Sequence, residues 1–220
     1  MESFEIRRTD AGIHVEGFPD AVKLIRLDGQ KAKRLSDLAL HRADLDLASE
    51  CLHTINRISE EPAVLRQALW RCAIIHFMKC FGDPGARFQL SVDRIYKGEP
   101  PGLIAFEYFR QLRNKHFVHD ENSYAQSIAG AVLNRGDKGY KIGKILCLSA
   151  TAETLEQDNY NNLSLLVSKA KSWVTAEFDS LCESLTRDLE VESYDALARR
   201  ESVIYKKPDI NEISKKRGVP

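Results

Sequence analysis

The chain predicts a mainly α protein: an up-down bundle of about four long helices with an inserted β-hairpin. Three observations carry this. Apolar residues recur at helical spacing along four long stretches, and those stretches are bounded by capping or breaking residues. One segment, near residues 126–149, abandons that period for two short apolar runs around a glycine-bearing turn.

In chain order, residues 1–34 alternate loosely (Phe4, Ile6, Ile13, Val15) around Asp10-Ala11-Gly12 and form a small hairpin or extended arm. The helical domain, residues 35–190, opens with a helix from about Ser36, a good N-cap, to about Ser59. Leu38, Leu45, Ala48, Leu52 and Ile55 give that helix one apolar stripe. Pro62 suits the first turn of the second helix, where its missing N–H costs nothing. This helix, Val64 to Phe81, is apolar nearly all round and so belongs at the centre of the core, and Gly82-Asp83-Pro84-Gly85 stops it. A connector over residues 82–101 includes a short turn around Ser91–Tyr96. The third helix runs from about Pro101 to Val118. Ile128–Leu133 and Tyr140–Leu148 then flank Arg135-Gly136-Asp137-Lys138-Gly139 as a hairpin with a five-residue loop. The fourth helix reaches from about Thr154 or Asp158 to Leu189, with Leu163, Leu166, Ala170, Trp173 and Val174 among its apolar positions. Residues 191–220 form a polar, basic, mobile tail (Lys206-Lys207, Lys215-Lys216-Arg217).

Composition narrows the function classes. Lys+Arg and Asp+Glu both number 32, so no global field draws in nucleic acid and any polyanion site must be local. With 43% hydrophobic and 29% charged residues the chain is that of an ordinary soluble protein. Five cysteines, odd in number and without a C-x-x-C pair, argue against a disulfide scaffold or zinc knuckle and for a reducing cytoplasm. The N-terminus lacks a basic-then-apolar signal pattern, and no apolar run approaches the ~20 residues of a membrane span.

The residues that ask for a chemical explanation are Arg113-Asn114-Lys115-His116-Phe117-Val118-His119-Asp120. They end a helix otherwise built from Leu103, Ile104, Phe106, Tyr108, Phe109 and Leu112, which has no packing reason to finish that way. Arginine supplies a permanent cation whose planar fork suits phosphate, and histidine exchanges protons near neutral pH. Together they read as a phosphodiester site. On an unbroken helix Arg113 and His119 stand some 120° apart in projection and ~9 Å apart in rise, whereas His116 shares a face with both. Either the helix ends before His119, or convergence occurs across a dimer, or His116 itself works.

Arg113-Asn114-x-x-x-x-His119 resembles the R-x(4–6)-H signature of the HEPN superfamily, with its polar residue directly after the arginine. The surrounding run is similar to abortive-infection-type members, and the four-helix reading agrees with their fold. The resemblance implies a metal-independent endoribonuclease, a toxin or antiviral-defence effector, working as a homodimer that pools two motifs in one cleft and needs no cofactor. It implies RNA as substrate, and an antitoxin or nucleotidyltransferase as a further partner. Carried across, Arg113 would hold the scissile phosphate, His119 would move protons and Asn114 would orient the site. Catalytically silent members that only bind are a known alternative; a plain helical scaffold is another.

The chemistry supports the same reading. Attack by the 2′-OH needs a base, an acid for the leaving 5′-oxygen, and positive charge on the phosphoryl oxygens. A two-fold axis supplies an equivalent His119 on each side of the phosphorus. The competing readings are plainer. Cations at a helix C-terminus meet the macrodipole favourably, and His116-x-x-His119-Asp120 can be drawn as a metal chelate that lacks partner ligands elsewhere. His76, on the stripe Leu65-Leu69-Cys72, reads as a satisfied core histidine. Gly139–Lys144 falls one residue short of a phosphate loop.

Overall fold

A computed structural model describes residues 6–9, 12–59, 63–82, 85, 87–119, 121–204, 207 and 209–215. The chain is mainly helical, 59%, with six helices among the described residues. Its elements are β1 (Ile6–Thr9), β2 (Gly12–Val15), α1 (Gly29–Arg57), α2 (Ala63–Lys79), α3 (Val92–Ile95), α4 (Pro100–Leu112), β3 (Ala125–Leu133), β4 (Ile142–Thr151), α5 (Gln157–Glu190) and α6 (Tyr194–Arg199). A π-helical segment, Arg113–Val118, follows α4 directly, and a 3-10 turn spans Ile210–Glu212. Among the described residues no helix is long and apolar enough to cross a membrane.

Contacts divide the chain into two compact units. The first takes the described residues within 1–40, 84–88 and 175–220. In it β1 and β2 pair antiparallel, Ile6 opposite Val15. The helix α1 starts at Gly29 rather than at Ser36. Gln30 to Arg34 are good helix formers and find partners that extend the helix backwards. Lys31 Nζ lies 2.5 Å from Asp188 Oδ2 and Arg34 Nη2 2.9 Å from Glu177 Oε2, while the Arg34 guanidinium sits 4.5 Å over the Phe88 ring. The described residues from 191 to 204 are not the structureless tail their composition suggests. Ser193 caps α6 through its side chain, Arg26 N–H donates to Glu201 O at 2.7 Å, and Val203 N–H donates to Leu24 O at 2.9 Å. Satisfying backbone groups in this way needs no apolar periodicity, which is why the sequence pattern gave no sign of it. Lys206, Lys216 and Arg217 lie outside the described residues, as do Pro62, Asp83 and Pro84.

The second unit, within 41–83 and 89–174, holds the core that positions the motif. Leu45, Ala48, Leu52 and Ile55 of α1 are buried, as the stripe requires. From α2 come Trp70, Ala73, Ile74, Phe77 and Met78; from α4, Phe106, Phe109 and Leu112; from α5, Leu163, Leu166, Val167, Ala170 and Val174. Edge-to-face rings knit α2 to α4, Trp70–Phe109 at 5.9 Å and Phe77–Phe106 at 6.0 Å between centroids, and Phe81 just beyond α2 adds Phe81–Phe106 at 4.9 Å. Two buried polar tips are satisfied: Tyr96 OH donates to Leu166 O at 2.9 Å and Trp70 Nε1 to Thr154 Oγ1 at 3.1 Å.

The hairpin β3–β4 belongs to this unit. Ala125 pairs with Thr151 and Val132 with Lys144, and a register shift follows between Val132 and Leu133. The strands are longer than the apolar runs alone predict. Polar positions extend them: Ser127 and Ser149 meet at 2.9 Å, and Ala152 N–H donates to Tyr124 O at 2.7 Å at the base. The turn correspondingly runs from Asn134 to Lys141 rather than over five residues, closed by Asn134 N–H to Lys141 O at 2.8 Å.

Candidate active site

Pro100 and Pro101 occupy the first positions of α4, where their missing N–H groups leave nothing unsatisfied. From there α4 buries Phe106, Phe109 and Leu112 and keeps α geometry up to Leu112. Beyond it the hydrogen bonding widens to i→i+5 through Arg113–Val118. Side chains here leave the angular schedule of an α-helix, and two aromatic contacts anchor the segment. The Arg71 guanidinium of α2 lies 5.1 Å over the Phe117 ring, and the His116 ring meets Tyr124 edge-on at 5.6 Å. The helix stops at Val118. His119 is extended, with φ −124° and ψ 142°, and Glu121 N–H reaches back to Lys115 O at 2.9 Å to close the end. The helical segment thus ends before His119, as one of the three readings of the motif required.

Arg113 is half-buried and donates from Nη1 to Asn114 Oδ1 at 2.7 Å, which fixes the plane of its fork. His116 is half-buried between Phe117 and Tyr124. His119 is exposed beyond the helix end, close enough to Glu121 for its charge to count there. The Glu121 carboxyl is held below the usual carboxylate range, first by its bond from Lys115 Nζ at 2.5 Å and less by His119. So the structure joins Arg113 with Asn114, sets His116 against Phe117 and Tyr124, and leaves His119 exposed. Asp120 lies outside the described residues.

Next to this segment stands a polar group that sequence reading passed over. Asn159 Nδ2 of α5 donates to Tyr108 OH at 3.2 Å and to Thr154 O at 3.1 Å. Burial pushes the Tyr108 phenol up to about 12, with the neighbouring Tyr124 adding to the effect. Arg71 was also missed, although a signal existed: it is a permanent cation at mid-helix between Trp70 and Cys72, in a stretch where most residues are apolar. His76 has a partner, but it is not a core residue: it is half-buried, and Leu65 on the same stripe is exposed. Its Nδ1 lies 2.7 Å from Asp44 Oδ1, an oxygen that also takes Lys79 Nζ at 3.1 Å.

Chemically, six consecutive residues and the one after them offer an oriented guanidinium, a sheltered imidazole and a solvent-facing imidazole. That set can bind an oxyanion and exchange protons near neutrality. Comparison of the chain with protein-family models, curated proteins and solved structures finds no match.

Proposed function

We propose that this protein is a metal-independent endoribonuclease of HEPN type that cleaves RNA by 2′-OH transesterification in a composite homodimer site. The reading includes a bundle of four long helices in up-down order, and a cytoplasmic toxin or antiviral-defence setting with an antitoxin or nucleotidyltransferase partner. The observation that carries it is the Arg113–Asn114 bond of 2.7 Å on a π-helical segment whose end frees His119 from the helix. π-Helical turns concentrate at functional sites because they displace side chains that packing alone would leave in register. Arg113 would neutralise the phosphoryl oxygens with its plane set by Asn114. His119 of each chain would serve as base or acid on opposite sides of the phosphorus, and His116 would serve if the geometry favoured it. DNA, without the 2′-OH, would not be cut.

A second reading, a catalytically silent RNA- or nucleotide-binding module, draws on the contacts just described: within one chain Arg113 and His119 engage different partners. One assay distinguishes them. Purified protein is incubated with mixed RNA in EDTA, and His119→Ala and Arg113→Ala are compared with the wild type. The expected outcome is a 2′,3′-cyclic phosphate product and a loss of roughly 10²–10⁴-fold in rate for His119→Ala. Cleavage that survives both substitutions removes the residue assignment. RNA retained without cleavage favours the silent binder.

A further inference from the structure

The hairpin β3–β4 carries apolar side chains on both faces and buries neither. The register puts Ile128, Val132, Leu146 and Leu148 on one face, and Ala129, Cys147, Ile145 and Leu133 on the other. Ile128 and Leu148 are 65% and 72% exposed, and Leu133 and Ile145 75% and 67%. Two strands alone are marginal in water and normally gain a third strand or a cover. Each strand pairs only with the other among the described residues, so each has one open edge. The two edges differ. β4 carries Lys144, the kind of charge that blunts an edge against pairing. From Asn122 to Asn134 the chain through β3 has no charged residue at all.

Charge along the hairpin is polarised. Its tip holds Arg135, Lys138, Lys141 and Lys144, with Asp137 engaged by Arg135 at 3.9 Å. Its base holds Glu153 and Glu156, both exposed, and Glu121, which Lys115 engages at 2.5 Å. Two such hairpins side by side in the same direction would set tip against tip and base against base. Antiparallel, each tip meets the other's base, and the arrangement is two-fold symmetric. We infer that β3 pairs antiparallel with β3 of a second copy of this chain, forming a four-stranded sheet centred on Ala129. In that register Ile128 lies opposite Gly130 and Leu133 opposite Ala125, a large side chain against a small one in each, Gln126 lies opposite Val132, and Ala129 meets itself.

Edge addition of nine residues, about 30 Å of strand, gives a contact at the small end of specific interfaces, held by main-chain hydrogen bonds. The axis passes through the strand centre, and Arg113–Val118 precedes the base of the hairpin. The two motif segments therefore fall at opposite ends of the new sheet. This two-fold is additional to the one that a composite nuclease site requires, and it stands without the nuclease reading.

The test is particle mass by light scattering at tens of micromolar full-length protein, with RNA cleavage measured in parallel. Ala129→Lys, a charge on the exposed edge, is expected to halve the particle mass while leaving helical circular dichroism and cleavage per chain unchanged. A cross-link gives an independent readout. In a Cys147→Ser background, Ala129→Cys is expected to yield a reducible dimer on mild oxidation, whereas Ile142→Cys on the outer strand is not. A wild-type particle of one chain's mass overturns the pairing. So does a mass that Ala129→Lys leaves intact together with an Ala129→Cys chain that fails to cross-link. A particle that halves as expected but never cuts RNA sinks the nuclease reading alone and leaves the pairing in place.

Discussion

Two regions of the second unit are built from the same kind of residue and treated oppositely. The helical core closes Trp70, Phe77, Tyr96 and Phe109 entirely away from water, while the hairpin leaves Ile128, Leu133, Ile145 and Leu148 largely in it. Composition does not separate them, since both are runs of large apolar side chains. What separates them is how many faces each element can cover. A helix packed among others buries a whole stripe of its surface against them, whereas a two-stranded ribbon covers only one edge of each strand with the other. The lesson is that an apolar run is a demand for a partner, and the fold meets that demand within one chain only in the core.

The largest expected effect tests this contrast directly. Phe77→Ala opens a cavity ringed by Phe81 and Phe106 and should cost about 3–5 kcal/mol in urea denaturation. Leu148→Ala, measured beside it at low protein concentration, should stay within about 0.5 kcal/mol, the range of surface substitutions. Comparable losses for the two would mean that the hairpin is covered inside the monomer, and the contrast would dissolve.

A smaller effect sharpens the description of the core. Tyr96 is fully buried, its hydroxyl donates to Leu166 O at 2.9 Å, and burial pushes its phenol far above the ordinary range. The unfolded phenol titrates near 10. Because the folded value is raised, the contribution is complete below pH ~10 and is lost as pH climbs from there towards the folded value. Stability should therefore fall through the alkaline range by up to about 1.4 kcal/mol per pH unit from this group. Tyr96→Phe should remove that part of the slope while costing about 1 kcal/mol at neutral pH for the lost hydrogen bond. Denaturation midpoints for both proteins at neutral pH and above pH ~10 decide the matter. Parallel curves would show that the phenol is not what titrates.

How far the sequence revealed these regions follows from the physics of each. The stripe Leu38, Leu45, Ala48, Leu52, Ile55 named buried positions correctly, because one face of a long helix must repeat its contacts every turn. The start of α1 escaped, since the ion pairs of Lys31 and Arg34 join residues some 140 positions or more apart in the chain. The pairing of residues 24–26 with 201–203 escaped for a related reason: it rests on backbone groups, which leave no mark in the side-chain pattern. At the candidate site the residue types were legible and the geometry was not. Arg113, Asn114, His116 and His119 stand out by chemistry in an apolar helix, but nothing in their spacing announces a change from i→i+4 to i→i+5 bonding. Arg71 and Tyr124, which anchor that segment, lie on other elements and enter only through contact.

The smallest effect concerns the hairpin alone and separates a merely exposed ribbon from a loosely formed one. Gly143 follows the first residue of β4, beside the register shift, and Asn134 folds over it: a Cβ built there would come within 2.9 Å of Asn134 Oδ1. Asn134 in turn closes the turn through its N–H to Lys141 O at 2.8 Å and its Nδ2 to Tyr140 O at 3.2 Å. Gly143→Ala must displace that side chain, and the contact with Tyr140 O is the bond most directly at stake. Because the hairpin contributes little to the folded core, global stability should change by no more than about 0.5 kcal/mol. Amide exchange should nonetheless quicken at Asn134 and its neighbours while the protection of Ala125–Ile128 at the base is unchanged, since local opening is set by local bonds. Faster exchange along the whole of β3 would mean that the turn, rather than the base, holds the ribbon together. In that case the open edge would be formed only part of the time, and pairing with a second chain would have to order it.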